Sequence, residues 1–266
     1  MNAVSIGPML FSSERFAAII GIALFWLAMM IAGRFTKRPL SDLAFAMIAV
    51  GVIAARLAHI ALHFESFAAD PLRVFAVWQG GFNIWGGLFG AALVMALRVR
   101  DRRKLMGIAA ACMVGLAGWG AAIASTQPAS TPPLPGENLM RLEGGVTSLA
   151  TLGGGPMVIN LWATWCPPCV REMPMMSEAA AANPDITFAF VNQGDDPTHI
   201  RAFLDEQSLS LPNILLDPSW QTLHHYGAMG LPTTLFVAAD GAVSYSFSGE
   251  VSPELLETQM RALRAQ

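Results

Sequence analysis

The sequence predicts two folds in one chain: a membrane α-helical domain of four transmembrane helices over residues 1–124, and an α/β domain over residues 138–266. Charge, apolar run length and punctuation all point this way. Residues 1–137 carry a net charge of +5 and residues 138–266 a net of −8, with no lysine in the second stretch. The whole chain is 54% hydrophobic and only 13% charged, a balance typical of a chain that is partly membrane. Between the halves, residues 125–137 read S-T-Q-P-A-S-T-P-P-L-P-G-E. Four prolines with small polar neighbours neither propagate a helix nor pair in a central strand, so this stretch is a spacer.

Four apolar runs occupy residues 17–33, 40–62, 80–97 and 105–124. Each is near the roughly 20 residues that cross about 30 Å of hydrocarbon as a helix. The first run is preceded by Glu14 and Arg15 and followed by Gly33 and Arg34, without the small-residue site of a cleaved leader, so it reads as a retained span. Arg34, Lys37 and Arg38 fill the first loop, and Arg98, Arg100, Arg102, Arg103 and Lys104 the third. The second loop, with Glu65, Asp70 and Arg73, has no basic excess. The positive-inside rule then puts loops one and three in the cytoplasm and both termini outside it. In span two, Arg56, His59 and His63 share one helix face. They are interfacial side chains, a lipid-headgroup pocket, or (for the His pair) a haem site; the spacing permits each of these.

The second half alternates short apolar runs with amphipathic ones. Strands are expected at residues 157–163, 186–191, 214–216, 233–237 and 243–247, and helices at 167–182, 197–208, 220–226 and 253–264. Asp240-Gly241 separates the last two strands as a hairpin turn. The order β-α-β-α-β-α-β-β-α belongs to a sheet covered by helices.

The chemistry gathers at Trp165-Cys166-Pro167-Pro168-Cys169, where the first of these strands meets its helix. Cysteines at i and i+3 on a first helical turn can close a small disulfide ring. Unpaired N–H groups and the helix dipole there favour the thiolate of the first cysteine, which is the form that attacks disulfides. The same spacing could form half of a zinc site, but the other candidates are Cys112, inside a membrane run, and His224-His225. Glu172 lies one turn beyond Cys169, either as a proton acceptor for it or as a solvated helix carboxylate. Pro232, in Gly230-Leu231-Pro232-Thr233-Thr234, is a candidate cis proline or an ordinary strand-entry proline. Met173, Met175 and Met176 are core packing, or a substrate- or copper-contact surface. Cys112 alone cannot relay electrons by exchange, which needs two thiols. The acidic, lysine-free second half argues against nucleic acid as a partner.

Two resemblances follow. Residues 158–169, Arg171-Glu172-Met173-Pro174, and Tyr226-Gly227 through Pro232-Thr233-Thr234 resemble the TlpA/ResA/DsbE branch of the thioredoxin superfamily. Asn160 stands where thioredoxin has a buried Asp, Glu172 stands where the branch has a Glu, and residues 194–211 resemble the branch's helical insert. The resemblance implies a thioredoxin fold and a redox-active Cys166–Cys169 disulfide with no cofactor. It also implies a cis Pro232 facing the cysteines, with Trp165, Pro167, Leu231 and Pro232 as substrate contacts. The implied partners are a protein disulfide, as in apocytochrome c, a copper-site protein or a repair enzyme, and a separate transmembrane electron donor of the DsbD or CcdA type. The implied place is the bacterial inner membrane, with the second half in the periplasm. Over roughly the first 100 residues, Ser5-Ile6-Gly7-Pro8, Ala55-Arg56-Leu57, residues 69–72 and residues 77–88 resemble prolipoprotein diacylglyceryl transferase. Trp85 stands in place of that family's catalytic His, and residues 115–120 in place of its later charged motif. This implies a borrowed scaffold that anchors the chain and touches lipid. A residual lipid transferase and a copper metallochaperone of thioredoxin fold are the alternatives.

Overall fold

The computed structural model describes residues 3–6, 9–35, 40–126, 132–152 and 154–266. Gly7, Pro8, Lys37, Arg38 and residues 127–131 of the Pro-rich stretch lie outside the described residues. The chain divides into two compact units, one of Ser13–Gln127 and one of Pro128–Gln266 together with Met1–Ser12. Within Met1–Ser12, β1 (Ala3–Ile6) pairs antiparallel with β2 (Met9–Ser12), a ribbon the sequence reading did not anticipate.

The helical unit contains α1 (Ser13–Phe35), α2 (Ser41–Leu62), the short α3 (Phe64–Ala69), α4 (Ile84–Arg98) and α5 (Arg102–Thr126). Three of these, α1, α2 and α5, are long and apolar enough to cross a membrane. The third apolar run differs from the expectation, because its helix starts only at Ile84 and is 15 residues long. At 1.5 Å per residue α4 is about 22 Å long, short of a full hydrocarbon crossing. The local chemistry explains the late start. Gly80 and Gly81 turn the chain with φ of 86° and 77°, and Asn83 then caps the helix by accepting the Gly86 N–H at 2.9 Å. The helices pair as α1 with α5 and α2 with α4 through small residues, as membrane helices do. A Cβ on Gly90 would lie 2.7 Å from Ala54 Cβ and 2.9 Å from the Val50 carbonyl, so no larger residue fits that crossing.

The other unit is built on a seven-stranded sheet. Its strands are β3 (Leu139–Arg141), β4 (Val146–Thr147), β5 (Met157–Trp162), β6 (Thr187–Gln193), β7 (Ile214–Asp217), β8 (Thr233–Val237) and β9 (Val243–Ser248), in the order β4-β3-β7-β6-β5-β8-β9. β5, β6 and β7 run parallel, and β8 pairs antiparallel with β5. The helices are α6 (Leu149–Leu152), α7 (Pro167–Ala182), α8 (Pro197–Gln207), α9 (Gln221–His225) and α10 (Pro253–Arg264). The alternation read from the sequence holds throughout, with β3, β4 and α6 added at its start. Another small departure is Trp220, which was expected inside a helix but precedes α9 in the left-handed region at φ 59°.

Every residue of β5 is buried, so both sheet faces are covered. Alternation then sorts its side chains. Val158 and Trp162 join a core with Met173 and Met176 of α7 and Leu256 and Met260 of α10. Met157, Ile159 and Leu161 join the opposite core with Leu149 and Leu223. Asn160 shares the parity of Val158 and Trp162, which puts a polar amide on the face that carries α7.

Candidate active site

β5 ends at Trp162, and four residues later Cys166 becomes the N-cap of α7 with an extended backbone (φ −95°, ψ 103°). Pro167 occupies the first helical position, where a missing N–H removes nothing. Cys166 and Cys169 are joined as a disulfide, with Sγ–Sγ 2.09 Å and Cα–Cα 5.2 Å. The Cys169 N–H donates to Cys166 Sγ at 3.3 Å. Cys166 is 3% exposed and Cys169 fully buried, so the first sulfur is the one nearer solvent.

The Leu231–Pro232 peptide is cis. The β5–β8 register sets Leu161 opposite Thr233 and Asn160 opposite Thr234, which brings Pro232 beside the end of β5 that leads to the disulfide. Glu172 is 2% exposed and lies between α7 and the sheet. It accepts from Asn160 Nδ2 at 2.8 Å and from the Val251 N–H at 2.8 Å. Burial raises its pKa to about 8; the Val251 and Asn160 hydrogen bonds offset only part of that rise, Glu250 adds to it and Arg171 opposes it. Asn160 Nδ2 also donates to Thr234 Oγ1 at 3.1 Å, while its Oδ1 is buried with no partner among the described residues.

The family comparisons agree with this geometry. Residues 124–263 match the Redoxin family model, which is more than half of the chain. The chain belongs to the Redoxin family. The redoxin unit is 30% identical over 128 residues to the thiol-disulfide oxidoreductase ResA of Geobacillus thermodenitrificans, covering 47% of this chain and 73% of that protein. It is 31% identical over 124 residues to ResA of Bacillus anthracis, covering 46% and 71%. A solved structure of a secreted Mycobacterium tuberculosis disulfide oxidoreductase homologous to E. coli DsbE is 28% identical, covering 48% of this chain and 96% of that one with a TM-score of 0.44. Residues 2–125 match the prolipoprotein diacylglyceryl transferase family model. The protein is thus a thiol–disulfide oxidoreductase with an N-terminal segment of apolar helices.

Several residues of the redoxin site escaped the sequence reading. The Arg171 guanidinium binds Glu250, with Nη2–Oε2 at 2.6 Å and Nε–Oε2 at 2.9 Å. Asp195 accepts from the Thr164 N–H at 2.7 Å and from Thr164 Oγ1 at 3.0 Å, bracing the loop that leads to Cys166. Trp165 is 57% exposed and stacks on Trp220 at 5.9 Å. Met173 and Met176 are fully buried in the core, so they offer no copper-contact surface. Asn160 was noted only for standing where thioredoxin has an Asp. Its contact with Glu172 joins a strand to a helix 12 residues on, a pairing that local spacing does not reveal.

In the helical unit, Arg56, His59 and His63 do share a face, and the two imidazoles lie 4.5 Å apart between ring centres. Arg56 Nη2 donates to the Arg73 and Val74 carbonyls, Nη1 to those of Gly80 and Gly81, and Nε to Val74, over 2.7–3.2 Å. Its cation therefore satisfies carbonyls of the 3-10 turns and the glycine turn between α3 and α4, which a membrane-embedded unit has to pair internally. Trp85, in the place of the transferase histidine, is exposed. Cys112 is a free thiol, partly buried in α5.

Proposed function

We propose that the protein is a reductase of protein disulfides, held in the bacterial inner membrane with its redoxin unit in the periplasm. The observation that carries the chemistry is Cys166 at the N-cap of α7 with the Cys169 N–H aimed at its sulfur. In the dithiol form the same donor and the helix N-terminus stabilise a Cys166 thiolate. That thiolate attacks a substrate disulfide, forming a mixed disulfide and releasing one substrate sulfur as thiolate. Cys169 then attacks Cys166, its proton passing to Glu172, and the second substrate sulfur leaves. Two electrons move to the substrate, and the enzyme is left as the disulfide.

Trp165, Pro167, Leu231 and Pro232 are the residues that meet the substrate chain. Recovery of the dithiol calls for a dithiol donor, and Cys112 as a lone thiol cannot deliver two electrons, which supports a separate transmembrane donor of the DsbD or CcdA type. The basic residues around α4 and α5 support the cytoplasmic placement of that loop, and with it the periplasmic placement of the acidic unit. Membrane lipid is the remaining partner. Arg56, His59 and His63, on one face of α2, are the candidate headgroup contacts, and Arg56 also organises the backbone beside them.

The test is the reduction potential of the full chain in detergent, alongside its reduction of a disulfide peptide and that of Cys166→Ser. A reducing potential near that of thioredoxin, about −270 mV, is expected, together with loss of turnover in the serine variant. A potential near about −120 mV would reverse the direction to oxidation.

A further inference from the structure

The loops beside the disulfide contain a device that thiol exchange alone does not require. Trp220 takes φ 59° and ψ 24°, a conformation that a bulky L-residue adopts only where its surroundings enforce it. The enforcement comes from Asp217. Its carbonyl accepts the Trp220 N–H at 3.3 Å, and its carboxylate accepts the N–H groups of Gln221 and Thr222 at 2.9 and 2.8 Å. Gln193 Nε2 donates to the same carboxylate at 3.2 Å. The next residue, Gly194, sits at φ 86°, where a Cβ would come within 2.9 Å of the Trp220 Nε1, so glycine makes room for the indole. The residue after that, Asp195, holds Thr164 by two hydrogen bonds and is itself braced by Asn192 Nδ2 at 2.7 Å. Thr164 precedes Trp165. One segment, residues 193–195, thus fixes both tryptophans, through Asp217 on one side and through Thr164 on the other.

The result is a pair of indoles 5.9 Å apart and inclined by 26°, with Trp165 more than half exposed and directly preceding the more accessible sulfur. Trp220 is half-buried against the core that holds Leu223, so it backs an indole, Trp165, whose other face meets water. We infer that the Trp165–Trp220 stack is the docking platform for the polypeptide being reduced, that it takes an aromatic or long aliphatic side chain flanking the substrate cysteine, and that Trp220 is a specificity-determining residue. The occupant follows from continuity with the reacting atom. The mixed disulfide ties the substrate to Cys166, so substrate residues next to the bond are held at high effective concentration beside Trp165. A third ring or an aliphatic chain can then lie against the exposed indole.

This inference rests on the reductase reading, and the test separates the two. Full-length protein in lipid nanodiscs is reduced and mixed with three disulfide peptides identical except for the residue after the cysteine: Trp, Ser or Lys. Cystamine serves as a small disulfide without flanking residues. The wild type is expected to favour the Trp peptide over the Ser peptide by about two- to tenfold in kcat/KM. In Trp220→Gly that ratio falls to about one, while Trp220→Phe keeps most of it. Glycine is unstrained at this backbone conformation, and a ratio between two peptides cancels any general loss of activity. An unchanged ratio in Trp220→Gly, or a preference for the Lys peptide, overturns the platform. Failure to reduce cystamine or any peptide overturns the reductase reading instead.

Discussion

Glu172 in the redoxin unit and Arg56 in the helical unit are both ionisable groups taken largely out of bulk water, and the protein treats them in opposite ways. Arg56 finds an acceptor for each arm of its guanidinium among four backbone carbonyls, so its charge is matched where it stands. Glu172 receives two donors, and the amide that supplies one of them leaves its own oxygen unpaired. A buried carboxylate with so few donors is costly, and burial accordingly holds the proton on Glu172 up to about pH 8. Full compensation yields a structural tie. Partial compensation yields a group that can gain and lose a proton near neutrality, close to where a cysteine titrates.

The largest effect expected from breaking this contrast comes from Glu172→Gln. The amide keeps the shape but cannot take the Cys169 proton, so resolution of the mixed disulfide should slow by about a hundredfold. In the wild type that step should quicken as pH rises through about 8, and in the variant that rise should vanish. Stopped-flow decay of a trapped mixed disulfide measures both; a variant with the parent's rate and profile would remove Glu172 from the mechanism. Stability carries the opposite sign. The folded pKa lies above the ordinary value of 4.5, so this group's contribution is fully present below about pH 4.5 and is lost as pH rises through about 8. Denaturation of the wild type should therefore become easier across that window, and that of the glutamine variant less so.

The units also differ in how far the sequence revealed them. In the redoxin unit, β5 is an unbroken apolar run, and the next helix begins with Cys-Pro-Pro, a cap followed by prolines where prolines fit. Both signals are local, so strand, helix and disulfide were all legible. The hairpin of β3 and β4 was not, because its strands are three and two residues long; Gly144-Gly145 between them was the available turn signal. Contacts joining distant segments stayed hidden for a physical reason. The Glu172–Val251, Arg171–Glu250 and Thr164–Asp195 links depend on which loops the sheet order brings together, and neither residue type nor period encodes that. In the helical unit, hydropathy located the apolar runs but not the Arg56 ties to Gly80 and Gly81 that hold the start of the third run outside a helix, so that run was read as a full span.

The next effect tests the other side of the contrast. Arg56→Ala leaves the carbonyls of Arg73, Val74, Gly80 and Gly81 short of donors inside the helical unit. A loss on the order of 3 kcal/mol is expected there, seen as a lower thermal midpoint in detergent and earlier proteolysis between α3 and α4. Arg56→Lys should recover only part of this, since one ammonium cannot reproduce the planar fork of donors. Full recovery by lysine would mean that charge alone matters and that the carbonyl geometry is incidental.

The smallest expected effect lies at the ion pair between Arg171 and Glu250. It runs parallel to the catalytic contact, because each of its residues directly precedes one partner of the Glu172–Val251 hydrogen bond. Arg171 is about half exposed, so the pair itself contributes only about 0.2–1 kcal/mol to stability. Its influence on Glu172 should be more visible than its strength. Glu250 disfavours a second negative charge nearby and Arg171 favours it. Glu250→Gln should therefore move the midpoint of the resolving step to slightly lower pH, and Arg171→Gln should move it slightly higher. The exchange Arg171→Glu with Glu250→Arg is the sharper probe. If the pair acts mainly by holding the loop before Val251 against α7, the exchange restores the parent midpoint; if it acts by charge on Glu172, the midpoint is displaced downward, because position 250, whose charge acts more strongly on Glu172, then carries the positive partner.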